Sequence, residues 1–292
     1  MQAPLAELLR LLELERLEVN LFRGESRDIG SPQVFGGQVL GQALRAAYAT
    51  VEPGRQAHSL HAYFLLRGDF NAPIVYFVDR SRDGRSFTNR RVTAIQHGEQ
   101  IFNMAASFQS PQSGVEHQLP MPQVPEPETL PDLAALPSST LARLAPAMRR
   151  YYERAQPFEF RLCESDDMLE PRNAPPLQHV WIRALDRLPD DDSLHRCLFA
   201  YVSDFHLLNA AARPHAQSFL SRTVVRASID HAMWFHRPMR VDEWLLYAID
   251  SPSASGARGF ARGSVFMRDG RLVGSTAQEG LLRVLEPGDS GH

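Results

Sequence analysis

One ordered pattern occurs twice in this chain and constrains its fold more than any other feature: a strand, a long helix, then four strands. In the first copy, Leu17 to Arg23 reads as a short strand and Arg23 to Gln33 as a loop. Val34 to Val51, VFGGQVLGQALRAAYATV, follows with helical composition and a small-residue face of Gly37, Gly41, Ala43 and Ala47. Several glycines in one helix cost stability, so close packing of that helix against a sheet is their expected reason. Strand-like runs then span His58 to Leu66, Pro73 to Ser81, Ser86 to His97 and Gln100 to Gln109. Arg67-Gly68-Asp69, Asp83-Gly84 and His97-Gly98 supply turn chemistry between them. The unit is α+β, a helix packed on an antiparallel sheet.

The second copy opens with strand-like residues at Phe158 to Leu162 and His179 to Ala184. Asp190-Asp191-Asp192-Ser193 is an acidic cap signal that starts a helix from Leu194 to about Ala211. Strands are expected at Val225 to Phe235, Glu243 to Ser251, Ala257 to Met267 and Arg271 to Arg283. Local sequence agrees with a duplication, since His58-Ser59-Leu60-His61-Ala62 is echoed by Ala227-Ser228-Ile229-Asp230-His231. Between the copies lie seven prolines from Pro111 to Pro137 and a helical piece near Thr140 to Arg154, expected to ride on the surface. The expected organisation is residues 1–110, a linker over 111–156, and residues 157–292.

Val225 to Tyr247 is the place to look for chemistry. It reads as strand, turn and strand, yet Ser228, Asp230, His231 and His236 interrupt its apolar residues. Polar groups in a core strand need partners or serve a site.

Composition excludes several partners. With 43% hydrophobic residues and a net charge of -3, the chain can bury a core and has no electrostatic reason to bind nucleic acid. No apolar run approaches membrane-spanning length, so no membrane insertion is expected. Two cysteines, Cys163 and Cys197, are too few for a disulfide scaffold and lack metal-ligand spacing, which suits a reduced cytoplasmic setting. All 31 basic residues are arginine, consistent with coding bias, although a guanidinium fork also suits phosphates.

The blocks VFGGQVLGQAL, HSLHAYFLL, RDGRSFTNRRV, FAYVSDFHLL, SIDHAMWFHRP, DEWLLY, SASGARGFARG and STAQEG together resemble the acyl-CoA thioesterase II (TesB-type) family. They run in family order from about Leu14 to Arg283. The resemblance implies a tandem double hot-dog, each half a long helix wrapped by an antiparallel sheet. It implies hydrolysis of fatty acyl-CoA to free acid and coenzyme A without metal or organic cofactor, and a homo-oligomer, dimer or higher. The family's water-holding Asp, Thr and Gln correspond to Asp204, Ser228 and Gln278, with Ser228 departing from the usual Thr while keeping a hydroxyl.

The residues are chemically suited to that role. Thioester attack by water needs a base, orientation and donors for the oxyanion. Asp204 falls about a quarter-turn from the centre of the apolar stripe of its helix, where a carboxylate meets both sheet and water. Taken alone, Asp204 is equally an ordinary solvated helix residue, Ser228 a satisfied strand hydroxyl and Gln278 cross-strand decoration. Ser228 lacks a nucleophile-elbow motif, which favours water activation over a covalent route. The first-half helix contains no acid between Gln33 and Val51, so one site per chain is expected.

Arg90, Arg91, Arg258 and Arg262 are candidate partners for coenzyme A phosphates, and His58 and His231 candidate substrate-lining groups. Met233, Trp234 and Phe235 are candidates for an acyl tunnel or for plain core. Neighbouring Asp230 and His231 face opposite sides of a strand, and no histidine is evident as a partner for Asp204. Histidine spacing gives no metal site. Two other readings remain open at this point: a hot-dog dehydratase or hydratase, and a non-catalytic acyl-CoA-binding or sensing module.

Overall fold

A computed structural model describes residues 1–285 apart from 32, 145, 165–168 and 218–223. The first half begins with α1 (Ala3–Leu12), whose Leu5, Leu8 and Leu12 are buried at helical spacing. In place of one strand over Leu17 to Arg23 there is a short hairpin, β1 (Glu15–Glu18) and β2 (Leu21–Gly24). Helix α2 (Gly36–Tyr48) is followed by β3 (Gln56–Phe64), β4 (Ile74–Asp83), β5 (Phe87–Gln96) and β6 (Glu99–Gln109). Alternation decides the faces: along β5, Thr88, Arg90, Val92, Ala94 and Gln96 are buried toward the helices while Phe87 and Arg91 point outward.

The connecting segment holds two short helices, α3 (Ser138–Arg143) and α4 (Pro146–Glu153). The second half contains β7 (Phe158–Leu162), β8 (Leu177–Ala184), α5 (Asp192–Ser203), α6 (Asn209–Ala212), β9 (Val224–Ser228), β10 (Asp230–Phe235), β11 (Leu245–Ser255), β12 (Arg258–Met267) and β13 (Leu272–Val284). Asp191 caps α5 as its sequence suggests, its Oδ1 accepting from the backbone N–H groups of Ser193 and Leu194 at 2.9 and 3.3 Å.

The strands form one antiparallel sheet in the order β1-β2-β4-β5-β6-β3-β10-β13-β12-β11-β8-β7. Read outward from its centre, β3-β6-β5-β4 in one half mirrors β10-β13-β12-β11 in the other, each wrapped on its own helix. This is a double hot-dog. The halves join where β3 pairs with β10, from Tyr63 opposite Asp230 to Ser59 opposite Trp234. The paired strands bury each other's edges.

The glycines of α2 face the other helix rather than the sheet, correcting the sequence expectation. A methyl group on Gly37 would lie 2.1 Å from the carbonyl oxygen of Tyr201, and one on Gly41 would lie 3.1 Å from that of Cys197. The absence of side chains lets α2 and α5 approach backbone to backbone. The Pro-rich segment is packed too. Met121, Val124 and Leu130 cover Trp181, Trp244, Leu246 and Phe266 on the outer face, and Trp181 Nε1 donates to the carbonyl of Pro125 at 2.9 Å. No helix among the described residues is long and apolar enough to cross a membrane.

Candidate active site

Three backbone irregularities bring the predicted polar residues together. The first is the end of α5. The helix expected to continue to Ala211 stops at Ser203, and Asp204 is its C-cap. His206 adopts a left-handed φ of 68° and turns the chain before α6 begins. Phe205 is held in the turn by the Phe35 ring from the first half, with centroids 4.3 Å apart. Asp204 is thereby aimed inward, and its side chain is only 5% exposed.

The second irregularity is a β-bulge where the expected Val225 to Phe235 strand divides. Ser228 lies opposite Gly280, and Ala232 opposite Ala277. Three residues, Ile229, Asp230 and His231, therefore face two, Gln278 and Glu279. The extra residue reverses the alternation. His231, Met233 and Phe235 point inward, and so does Ser228, which an uninterrupted strand would turn outward. Asp230 Oδ1 accepts from the Glu279 backbone N–H at 2.7 Å and stabilises the bulge. Burial, with the nearby Glu279 charge, raises the Asp230 pKa from its ordinary value.

The third is the pair Gly36-Gly37 opening α2. A methyl group on Gly36 would meet Asp204 Oδ2 at 2.7 Å and the Phe64 ring at 2.9 Å. Glycine thus makes room for the carboxylate of the other half. The first N–H groups of a helix have no intrahelical acceptor, and those of α2 have no side-chain cap. The first half therefore forms part of the site. The only sequence signal was the double glycine at the helix start.

Within this frame Gln278 Nε2 donates to Asp204 Oδ1 at 2.7 Å, and Ser228 Oγ donates to the same oxygen at 3.3 Å. Oδ2 carries no hydrogen bond from the described residues and faces the start of α2. One carboxylate oxygen is held by two donors and the other by none among the described residues. Beside Asp204 lies a cavity of about 320 Å³, lined by Leu133, Tyr152, Phe158, Phe160 and Phe205 among others. Leu133 and Tyr152 come from the connecting segment, so that segment is part of the cavity wall as well as surface.

The other candidates fall elsewhere. Arg90 is 1% exposed and spent on the Thr50 hydroxyl, the Asp83 carboxylate and three backbone carbonyls, so it offers no fork to a phosphate. Arg91 is exposed on the outer face of β5. Arg258 pairs with Glu279 and Arg262 with Asp250, each at 2.9 Å and facing away from Gln278. His58 bonds Ser107 Oγ at 2.8 Å on the outer face, and burial, then the Arg196 charge, lowers its pKa. His231 is wholly buried beneath the site, with Nδ1 3.7 Å from Asp204 Oδ1, so it cannot line the substrate. It is nonetheless the histidine beside Asp204 that the sequence did not reveal. Met233 and Phe235 are core, and Trp234 packs on His61 outside.

A double hot-dog with a carboxylate held on one oxygen beside a largely apolar cavity is the architecture of acyl-thioester enzymes. Residues 152–281 match the family model for acyl-CoA thioesterase, and residues 23–109 that for the acyl-CoA thioesterase N-terminal domain. The chain is 42% identical over 282 residues to acyl-CoA thioesterase 2 of Haemophilus influenzae, covering 97% of this chain and 99% of that one. It is 40% identical to human acyl-coenzyme A thioesterase 8, covering 94% and 88%. Among solved structures, an acyl-CoA thioesterase II, TesB2, from Mycobacterium marinum superposes with a TM-score of 0.79 at 44% identity, covering 96% of this chain and 99% of that one. The chain belongs to the acyl-CoA thioesterase family.

Proposed function

We propose that this protein hydrolyses acyl-CoA thioesters to the free carboxylic acid and coenzyme A, using one water-activating site per chain built from Asp204, Ser228 and Gln278. The observation that carries the reading is the asymmetric Asp204 carboxylate. Gln278 and Ser228 both donate to Oδ1, leaving Oδ2 as the base for a water lying against the first turn of α2.

As that water attacks the thioester carbonyl, Asp204 takes its proton, and the backbone N–H groups of Gly36 and Gly37 are the donors for the developing oxyanion. Collapse of the tetrahedral intermediate breaks the C–S bond. Asp204 then returns the proton to the departing thiolate. Every step is carried by the chain's own groups and water. The acyl chain occupies the cavity of about 320 Å³. That is roughly double the ~150 Å³ of a cavity that holds benzene, so it takes on the order of a dozen carbons.

Residues 1–110 and 157–292 act in this reading as two hot-dog units joined by 111–156. The enzyme works in the cytoplasm as a homo-oligomer, and arginines other than Arg90 meet the coenzyme A phosphates. Thiol release from acyl-CoAs of graded length, measured beside Asp204→Asn, tests the reading. A loss of on the order of 100-fold or more in kcat supports Asp204 as base. Undiminished turnover by the variant overturns that role. Binding of acyl-CoA by the parent without thiol release favours the sensing module instead.

A further inference from the structure

His231 is 0% exposed, lies between α5 and the sheet, and touches the proposed water site only from behind. Its Nε2 is 3.0 Å from Ser203 Oγ and its Nδ1 is 3.1 Å from Gln278 Nε2. The Ser203 hydroxyl donates to the Ala200 carbonyl at 3.0 Å. These distances leave one proton arrangement. An amide nitrogen carries two hydrogens and accepts nothing, so Gln278 donates one to Asp204 Oδ1 and one to His231. Nδ1 must then be the bare nitrogen of a neutral imidazole. Nε2 carries the proton and gives it to Ser203 Oγ, whose own hydrogen is already directed to Ala200. Each hydrogen of Gln278 Nε2, His231 Nε2 and Ser203 Oγ then has an acceptor, the Ser203 hydroxyl also lying 3.6 Å from Met233 Sδ.

The alternatives each break a bond. With the Gln278 amide turned over, Oε1 would stand 2.7 Å from a carboxylate oxygen, two acceptors with no proton between them. With a proton on Nδ1, His231 would demand Oε1 and force that same clash.

We propose that His231 is a positioning residue, a neutral Nε2–H imidazole that fixes the Gln278 amide so that its N–H holds Asp204 for the attacking water. Burial supports the neutral form by lowering the histidine's pKa, against the smaller opposing effect of Asp204. The inference rests on the assignment of Gln278 and Asp204 to the water site, but the tautomer itself can be read without turnover.

Two measurements test it. In the wild-type protein with ¹⁵N-labelled histidine, NMR at neutral pH should show Nδ1 of His231 unprotonated and Nε2 protonated. The opposite tautomer, or a cation, overturns the proposal whatever the variants do. In kinetics, His231→Phe keeps bulk without an acceptor. It should lower kcat on the order of 10- to 100-fold through a displaced Asp204, with KM within about twofold. His231→Asn, whose side-chain oxygen can stand where Nδ1 was, should recover most of that loss. Added to Gln278→Ala, His231→Phe should cost nothing further, because it acts through Gln278. Independent, multiplying losses in the double variant would identify His231 as a structural residue only, as would a fall in thermal stability that alone tracks activity. If Asp204→Asn abolishes turnover while His231→Phe leaves kcat intact, this inference fails and the hydrolase reading stands.

Discussion

Adding one methyl group at Gly37 tests whether the approach of the two central helices sets the chemistry. The new Cβ would sit 2.1 Å from the carbonyl oxygen of Tyr201, where ordinary contact begins near 3.4 Å. The obstacle is backbone and cannot rotate away, so α2 and α5 must separate by about 1.3 Å, the difference between those distances. Overpacking of this kind costs ~1–3 kcal/mol, partly offset by up to ~1 kcal/mol from replacing glycine with alanine in a helix. The net loss should lower Tm by a few degrees. Activity should suffer more. Tyr201 lies one turn before Asp204, and the same retreat would draw the carboxylate out of reach of Gln278, now 2.7 Å away. A misplacement near 1 Å is enough for on the order of a 100-fold loss in kcat. Gly41→Ala is the control, since its methyl would be 3.1 Å from the Cys197 carbonyl and needs a shift of only a few tenths of an ångström. Thermal unfolding and thiol-release kinetics on both variants decide the matter. Full activity and unchanged Tm in Gly37→Ala would refute the argument, and so would greater damage from Gly41→Ala.

Two further predictions follow from the cavity and the buried histidines. Leu133 lines the cavity and is pinned by its N–H to the Phe160 carbonyl at 2.9 Å, so Leu133→Trp should lower turnover of long acyl-CoAs at least tenfold relative to short ones; an unchanged chain-length profile would remove the connecting segment from the acyl wall. Burial lowers the pKa of His231 and brings that of His206 to about 4, both from 6.5. As pH falls through 6.5 the unfolded chain therefore binds protons first, and stability should drop by up to about 1.4 kcal/mol per pH unit per histidine. No such loss occurs above 6.5. His58, His195 and His236 are shifted the same way. A urea midpoint that is flat from pH 7 to 5 would contradict this.

Local patterns made much of the fold legible. Alternation and turn residues located most strands to within two residues, and β7 is Phe158–Leu162 as expected. The acidic cap of α5 was visible because its partners lie two and three residues away. The ordered repeat anticipated the mirrored sheet, and family blocks selected Asp204, Ser228 and Gln278, which do come together. The arginine candidates fared worse. Sequence shows that a strand residue is charged, whereas its face and its partner depend on neighbours such as Asp83, Asp250 and Glu279.

What the sequence determined by itself was therefore the inventory: element types, their order, the duplication and the chemical groups available. Only the tertiary structure decided how they meet. The pairing of β3 with β10 brings residues from opposite halves side by side. The bulge at Ile229 becomes visible only against the β13 register, yet it turns Ser228 inward. Glycines 36 and 37 have meaning only beside Asp204 and Tyr201, far away in the chain. Short-range propensity acts over a few residues, whereas these contacts are set by packing across one shared core, where a single ångström separates a held carboxylate from a lost one.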